Sequence, residues 1–181
     1  RRNAYLQTKN LSPDKLTIGI LPGSRQREIE QLFPVMLDAA ELLHSEFPQT
    51  QFVIMKAQTI TEKTLSGYLR DASIPGAIIE PNIYDGINAC DLCIVASGTA
   101  TLETAILQRP MVVVYKTSFL TWALAKLFVK IKDIGLVNVV AGKRIVPECV
   151  QFKATGKSIS KELRKIFTDE IKISEIKGQL K

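Results

Sequence analysis

The sequence predicts an α/β fold in which a parallel β-sheet is covered by helices on both faces. Short apolar runs alternate with longer amphipathic stretches at least four times along the 181 residues, and this alternation is typical of parallel sheets. The short runs are apolar along their whole length rather than at every second residue, which indicates strands that are buried on both sides. The crossovers between such strands are expected to be right-handed.

Five short apolar runs are the predicted strands. The first run, LTIGIL, is ended by Pro22, Gly23 and Ser24, which interrupt strands. The others are bounded in the same way by turn residues or by the start of a helical pattern. The predicted strands cover residues 16–21, 51–55, 77–79, 92–96 and 111–115.

The intervening stretches have apolar residues at helical spacing. In 28–47, apolar residues recur three and four positions apart, and Pro34 is expected to bend this helix or to start a second segment. The further predicted helices cover residues 62–72, 83–90, 99–107, 119–131, 158–167 and 170–178. We expect a sheet-forming domain over 1–152 and a basic helical tail over 153–181, in which the positive charges form a solvated helix face.

The composition excludes several classes of protein. Hydrophobic residues make up 46% of the chain, which supplies a core and excludes a wholly disordered protein. Three cysteines do not make a disulfide framework and agree with a cytoplasmic protein. The net charge is +6, but the basic tail has few aromatic residues on which nucleic acid bases would stack. The chain begins with Arg1 and lacks an apolar leader, so we expect an excised domain without a secretory signal.

The most apolar region, 119–131, has two interpretations. Lys126 and Lys130 interrupt it, so it is too short to span a membrane. Its apolar side chains cover more than one face, which favours a core or interdomain helix. The alternative is a helix on a membrane surface, with Phe119 and Trp122 at the headgroup level and the lysines toward anionic lipid.

The loop after the first predicted strand is a candidate anion site. Gly23 allows a close approach of the backbone to a ligand, and Ser24 is placed to cap the following helix. Amide groups at a helix N-terminus attract anions, and Arg25 adds a planar guanidinium that suits phosphate. The alternative is a simple strand-to-helix turn with a serine cap and a surface arginine.

The loop after the fourth predicted strand has the same chemistry. Ser97, Gly98 and Thr99 precede a predicted helix, with Thr101 in its first turn. Glu103 either completes a capping box with Thr99 or accepts hydrogen bonds from a ribose diol. Neither GxGxxG nor GxxxxGK[ST] occurs in the sequence, so two phosphate-type loops in one sheet indicate a nucleotide diphosphate but leave the reaction open.

Two other features are discounted. Cys90 and Cys93 have CxxC spacing, but no second pair completes a zinc site, and Cys93 lies inside a predicted buried strand. His44 lies among polar residues of a helix and is interpreted as a surface histidine rather than a catalytic one.

Four segments resemble the lipid-A-disaccharide synthase family. They are LPGSRQREIE at 21–30, ASGTATLE at 96–103, PMVVVY at 110–115 and GLVNVVAGKRIVPECVQ at 135–151. The resemblance runs from about residue 16 to residue 151. It implies one Rossmann-like half of a GT-B fold, namely the half that binds UDP-2,3-diacylglucosamine in an inverting glycosyltransferase. That enzyme forms a β-1,6-linked lipid A disaccharide 1-phosphate and releases UDP.

The resemblance also implies roles for residues of this chain. Gly23, Ser24 and Arg25 would face the diphosphate, and Asn138 would lie near the diphosphate or the transferred sugar, so that Arg25 and Asn138 are the candidate catalytic residues. Ser97, Gly98 and Thr99 would bind phosphate, with Thr101 behind them. Glu103 would take the ribose hydroxyls. The segment 80–83, with Ile83, would hold the uracil.

The resemblance implies neither a metal nor a cofactor, and it leaves the catalytic base to an N-terminal half that also holds the lipid acceptor. We therefore expect a cytoplasmic protein, peripheral to the inner membrane of a Gram-negative bacterium, with membrane contact and a homo-oligomer left open. In the family the last helix crosses to the N-terminal half, so the tail is expected to fray or to pair with another copy. The alternatives are a non-catalytic UDP-binding or membrane-surface module and a different GT-B member such as a nucleotide-sugar epimerase-like enzyme.

Overall fold

The computed structural model describes residues 2–79, 82–118, 122 and 133–180, with only the backbone described at 76–79. Within these ranges six strands form one parallel sheet. The strands are β1 (Leu16–Leu21), β2 (Thr50–Met55), β3 (Gly76–Ile79), β4 (Leu92–Ala96), β5 (Met111–Tyr115) and β6 (Glu148–Val150). Their order in the sheet is β3-β2-β1-β4-β5-β6, which confirms the predicted α/β fold class.

The five predicted strands are confirmed, and β6 is additional. Nearly all side chains of β1, β2, β4 and β5 are buried, because helices pack on both faces of the sheet. Strand β6 has only three residues, which is too short for its apolar pattern to stand out in the sequence.

Eight α-helices lie in the described ranges; six follow predicted segments closely, and those at residues 2–8 and 136–141 lie outside the predicted segments. They are α1 (Arg2–Thr8), α2 (Gln26–Glu46), α3 (Glu62–Leu69), α4 (Ile83–Ala89), α5 (Thr99–Ile106), α6 (Leu136–Ala141), α7 (Gly156–Phe167) and α8 (Glu170–Gln179). Helix α2 continues through Pro34 as a single element, so a second segment does not begin there. None of the helices in the described ranges is long and apolar enough to cross a membrane.

Helix α7 is part of the domain core, so the expectation that the whole tail frays is wrong, while pairing of the tail with another copy stays a prediction. The inner face of α7 is fully buried at Ile159, Leu163 and Ile166. Helix α7 approaches α2 so closely that a Cβ at Gly156 would lie 2.6 Å from the Cβ of Asp38. The apolar face of α7 finds its partner in α2, which the sequence pattern of α7 alone does not show.

A polar network joins α1 to the amino ends of the strands. The Arg2 guanidinium donates to the Ala89 carbonyl at 3.0 Å and pairs with Asp91 at 2.9 Å. The Asp91 carboxylate also accepts from the Thr17 amide at 2.8 Å. The buried Gln51 donates to the Thr17 hydroxyl at 2.9 Å. These contacts fasten the N-terminal helix to the edge of the sheet that is opposite to the predicted phosphate loops.

All three cysteines are free and buried. A hydrogen bond with Cys93, followed by burial, raises the pKa of the Cys90 thiol well above its ordinary value. Burial, followed by the charge of Glu162, raises the pKa of Cys149 to about 11. The thiols of Cys90 and Cys149 therefore stay protonated at neutral pH and behave as small apolar groups.

The structure says little about the helix predicted over 119–131 and about His44. The helix predicted over 119–131 lies outside the described residues except for Trp122, whose ring packs edge-on against Phe152 with centroids 5.1 Å apart. The interpretation of this helix as a membrane-surface element stays a prediction. His44 is half-buried beside the Thr50 hydroxyl, 3.1 Å from its Nδ1 atom.

We predict that Tyr5→Phe reduces the loss of stability at alkaline pH. The Tyr5 hydroxyl is buried and has no hydrogen-bond partner among the residues that the structure describes. Burial, followed by the charges of Cys90 and Asp85, raises the pKa of Tyr5 from 10.0 to about 12. As the pH rises, the Tyr5 hydroxyl therefore loses its proton in the unfolded chain before it does so in the folded one. The contribution of Tyr5 to stability is fully present below pH 10 and is lost as the pH rises toward about 12.

Urea unfolding at pH 8 and pH 11 measures the effect. The variant should be as stable as the wild type at pH 8, or up to about 1 kcal/mol more stable because an unpaired hydroxyl is removed. Its stability should fall less than that of the wild type at pH 11, whereas the exposed control Tyr84→Phe should follow the wild type. An equal alkaline loss in Tyr5→Phe and wild type would contradict the assignment.

Candidate functional site

A cleft of about 420 Å³ lies at the carboxyl ends of β1 and β4. These strands are neighbours in the sheet although a long stretch of chain separates them, and the strand order reverses between them. Ligands of open parallel sheets bind at such a reversal. Both predicted phosphate loops line this one cleft, with Gly23, Ser24 and Arg25 on one side and Ser97, Gly98 and Thr99 on the other.

The loop after β1 is shaped by a glycine and by a carboxylate. Gly23 has φ +113°, a conformation that side chains other than glycine rarely adopt. The Glu28 carboxylate accepts hydrogen bonds from the amides of Ser24 at 3.1 Å and Arg25 at 3.3 Å. The prediction that Ser24 caps α2 is wrong, because Arg25 is the N-cap residue and the Glu28 carboxylate occupies these amides.

The guanidinium of Arg25 is the most accessible positive group of the β1 loop. Its side chain is 83% exposed, and its only described ion pair is with Glu28 at 3.4 Å. An exposed pair of this length holds the side chain weakly. Arg25 can therefore turn toward an anion in the cleft.

The loop after β4 leads into a helix whose N-terminus no described side chain caps. Gly98 is the N-cap residue of α5, and Thr99 is the first helical residue at the cleft wall. The Ser97 hydroxyl donates to the Ile134 carbonyl at 3.1 Å, and the buried Thr101 hydroxyl donates to the Gly98 carbonyl at 2.8 Å. Ser97 and Thr101 thus hold the loop in place, while the uncapped helix end supplies the positive potential that attracts anions.

The acidic side chain of Glu103 faces the same cleft from the second turn of α5. Its Oε1 atom accepts a hydrogen bond from the Tyr84 hydroxyl at 3.3 Å. No described contact joins Glu103 to Thr99, so the predicted capping box is not formed. Ile83 also lines the cleft, at the start of α4, while residues 80 and 81 lie outside the described ranges.

Asn138 is a predicted site residue whose side-chain amide is fully bonded to other parts of the chain. It is 1% exposed. Its amide nitrogen donates to Val146 and Glu148, and its amide oxygen accepts from Ile145 and Val146, all at 2.8 to 3.0 Å. Every hydrogen-bonding position of the amide is therefore occupied by the chain itself, and Asn138 does not line the cleft. A direct contact with a ligand stays a prediction that this geometry does not favour.

The sequence reasoning missed two acidic residues that shape the cleft. Glu148 accepts from the amides of Ile134 and Gly135, both at 2.9 Å, and so places α6, whose Leu136 lines the cleft. Glu28 shapes the β1 loop from the third position of α2. A glutamate at this position is the signature of a capping box, but the N-cap residue is Arg25 rather than serine or threonine, which hides the pattern.

In the described ranges, no group of three or more His, Cys, Asp or Glu side chains lies close enough to hold a metal ion. Among the described residues, Arg25 and the N-terminus of α5 give the cleft positive potential.

Comparison with known sequences identifies one family. The family model for lipid-A-disaccharide synthetase matches residues 1–180. The lipid-A-disaccharide synthase of Geobacter metallireducens is 34% identical over 99% of this chain and 47% of its own length. That of Syntrophus aciditrophicus is 39% identical over 90% of this chain and 43% of its own length. The chain spans about half the length of the curated relatives that it matches.

Comparison with solved structures shows the fold. The Anabaena protein Alr3699/HepE in complex with UDP-glucose has a TM-score of 0.65 at 13% identity, over 99% of this chain and 46% of that chain. The UDP-GlcNAc 2-epimerase of Neisseria meningitidis bound to UDP-GlcNAc has a TM-score of 0.64 at 15% identity, over 96% of this chain and 42% of that chain. At such low identity these likenesses describe the architecture alone.

We predict that Asn138→Ala destabilises the domain by about 3 kcal/mol or more, because four hydrogen bonds of a buried amide are lost together. Asn138→Asp should also destabilise it, because a second carboxylate would lie beside Glu148. Urea unfolding measures the stability of both variants. The control is Asn3→Ala, at an exposed position of α1, which should change stability by less than about 0.5 kcal/mol. Full stability of Asn138→Ala with loss of ligand binding would instead indicate direct contact with a ligand.

Proposed function

The chain belongs to the lipid-A-disaccharide synthase family, and from this premise we propose that it is the half of a glycosyltransferase that binds the UDP-sugar donor. One observation supports this proposal above the others. A single cleft brings together an exposed arginine, an uncapped helix N-terminus and a glutamate one turn further along that helix. This spacing suits a nucleoside diphosphate, with a charged end and a diol end.

The parts of the sugar donor are assigned by chemistry. The diphosphate lies at the N-terminus of α5, where the amides of the first turn and the helix dipole favour negative charge. Arg25 covers it from the opposite loop. Glu103 accepts hydrogen bonds from the two ribose hydroxyls, and Ile83 contacts the uracil ring. Ser97 and Thr101 are positioning residues, since their hydroxyls bond to the backbone of the loop.

The proposed reaction transfers the sugar of UDP-2,3-diacylglucosamine to 2,3-diacylglucosamine 1-phosphate and releases UDP. As the bond from the sugar to the β-phosphate breaks, negative charge grows on the leaving UDP. Arg25 and the α5 dipole stabilise that charge, which lowers the barrier more than it strengthens binding of the sugar donor. Inversion also needs a base that removes the proton of the acceptor hydroxyl.

We assign that base and the acceptor site to the second half that the full-length relatives contain. The proposed substrates carry acyl chains, so we propose an enzyme that works at a membrane surface, on the cytoplasmic side of the inner membrane of a Gram-negative bacterium. The alternatives are a UDP-binding module without turnover and an epimerase-like enzyme. Release of UDP only in the presence of the acceptor, by a protein that has both halves, distinguishes the transferase from both.

Calorimetric titration with UDP tests the assignment of Glu103. Wild type should bind UDP, and Glu103→Ala should bind it at least about tenfold more weakly, because hydrogen bonds to a charged group are lost. 2′-Deoxy-UDP should bind the wild type more weakly than UDP does, while Glu103→Ala should hardly distinguish the two nucleotides. Glu62→Ala, on the exposed start of α3, is the matched control. If Glu103→Ala binds UDP like the wild type, the ribose assignment is wrong.

Arg25→Ala tests the phosphate side of the cleft. It should weaken UDP binding about tenfold and leave uridine binding unchanged, because the guanidinium contacts only the charged end of the nucleotide. Arg25→Lys should recover part of the loss, since lysine keeps the charge but not the planar pair of donors. An equal loss for uridine and UDP would show that the variant disturbs the cleft as a whole.

A further inference from the structure

The Glu28 side chain occupies a position in the cleft that suits an anion. Its carboxylate accepts from two successive amides at the start of α2 and lies 3.4 Å from the Arg25 guanidinium. It is packed under the loop, because a Cβ on Gly23 would come within 2.7 Å of Glu28 Oε2. Glu28 also lines the cleft, and its side chain remains 31% exposed.

The N-termini of α2 and α5 therefore differ in one respect. The start of α2 already holds a negative group of the chain itself, whereas no described side chain caps the start of α5. Since α2 and α5 both begin at this cleft, a diphosphate can place one phosphate near the start of each helix. At α2 that place is taken by Glu28.

The β1 loop is also held by bonds that do not involve the Glu28 side chain. The Thr59 hydroxyl donates to the Ser24 carbonyl at 2.6 Å. The backbone amides of Glu28 and Ile29 both donate to the Arg25 carbonyl, at 3.0 and 3.1 Å, and thereby close the first turn of α2. Together with the conformation of Gly23, these bonds hold the loop, so what the Glu28 side chain adds is negative charge at the two amides.

We propose that Glu28 is an internal stand-in for one phosphate of the nucleotide and that the ligand displaces it. The incoming phosphate takes the amides of Ser24 and Arg25, and Arg25 turns from Glu28 to the ligand. Glu28 is thus a specificity-determining residue, because every anion that reaches α2 competes with a tethered carboxylate. A diphosphate anchored at α5 displaces it readily, while a single phosphate does so poorly. This inference rests on the proposed binding of a nucleoside diphosphate.

The test measures binding of UDP, inorganic pyrophosphate and uridine to Glu28→Gln by calorimetry. Glutamine keeps the size of the side chain and removes the charge that competes with the ligand. UDP and pyrophosphate should bind about fivefold more tightly than to the wild type, and uridine should be unchanged. Glu30→Gln removes the same charge from the same helix outside the cleft and should leave all three affinities unchanged. Unchanged or weaker binding of UDP and pyrophosphate by folded Glu28→Gln would overturn the proposal.

A second measurement needs no variant. In wild-type protein labelled with ¹⁵N, pyrophosphate should shift the amide resonances of Ser24 and Arg25 as the Glu28 carboxylate leaves them. If pyrophosphate binds without moving these resonances, Glu28 is a permanent brace and the proposal is wrong.

Different results would overturn the role of Glu28 and the proposed binding of a nucleotide. UDP binding that depends on Glu103 but is not improved by Glu28→Gln overturns the role of Glu28 alone. If pyrophosphate binds tightly and binds more tightly to Glu28→Gln, while Glu103→Ala leaves UDP binding unchanged, the displacement of Glu28 by an anion is retained. The assignment of a nucleotide to the cleft is then rejected. If the wild type binds neither UDP nor pyrophosphate, both are wrong.

Discussion

The direct pairing of β1 with β4 is the constraint on which the cleft depends. Leu21 lies opposite Val95 in the parallel register, so the two chains leave the sheet side by side although more than seventy positions separate them. Parallel strands that are buried on both faces need helical crossovers, and these crossovers send every loop after a strand to the same edge. Two glycine-containing loops therefore meet, and the helices that follow both begin at the cleft.

The two edges of the sheet have different chemistry. At the amino edge, Arg2, Asp91, Thr17 and Gln51 satisfy one another in a closed network. At the carboxyl edge, Arg25 is largely exposed and α5 begins without a side-chain cap in the described structure. Polar groups that are paired stabilise the fold, whereas polar groups that await a partner are available to bind a ligand. Paired polar groups therefore lie at the amino ends of the strands, and polar groups that are available to a ligand lie at the carboxyl ends.

Carboxylates hold several backbone amides at the carboxyl edge of the sheet. Glu148 holds the amides of Ile134 and Gly135, and Asn138 is bound to Glu148 and to the chain at 145–146. Glu28 holds the amides of the other loop. An amide that bonds to a carboxylate of its own chain has a fixed direction before any ligand arrives, but a ligand that takes such an amide must first displace the carboxylate. The difference between Glu148 and Glu28 is that only Glu28 lies in the cleft wall.

The sequence by itself determined the α/β class, the five main strands and the two loops of the cleft, because apolar runs, helical spacing and glycine-rich turns are local properties. It also singled out Arg25, Ser97 and Glu103, which all line the cleft and whose chemistry stands out beside such turns. It could not predict the three-residue β6, the docking of α7 on α2, or the partners of Glu28 and Asn138. These features depend on contacts between segments far apart in the chain, or on which of several possible acceptors an amide bonds to. Only the folded structure shows that the Asn138 amide is fully hydrogen-bonded to the chain itself, because an asparagine suits a buried structural role and an active-site role equally well.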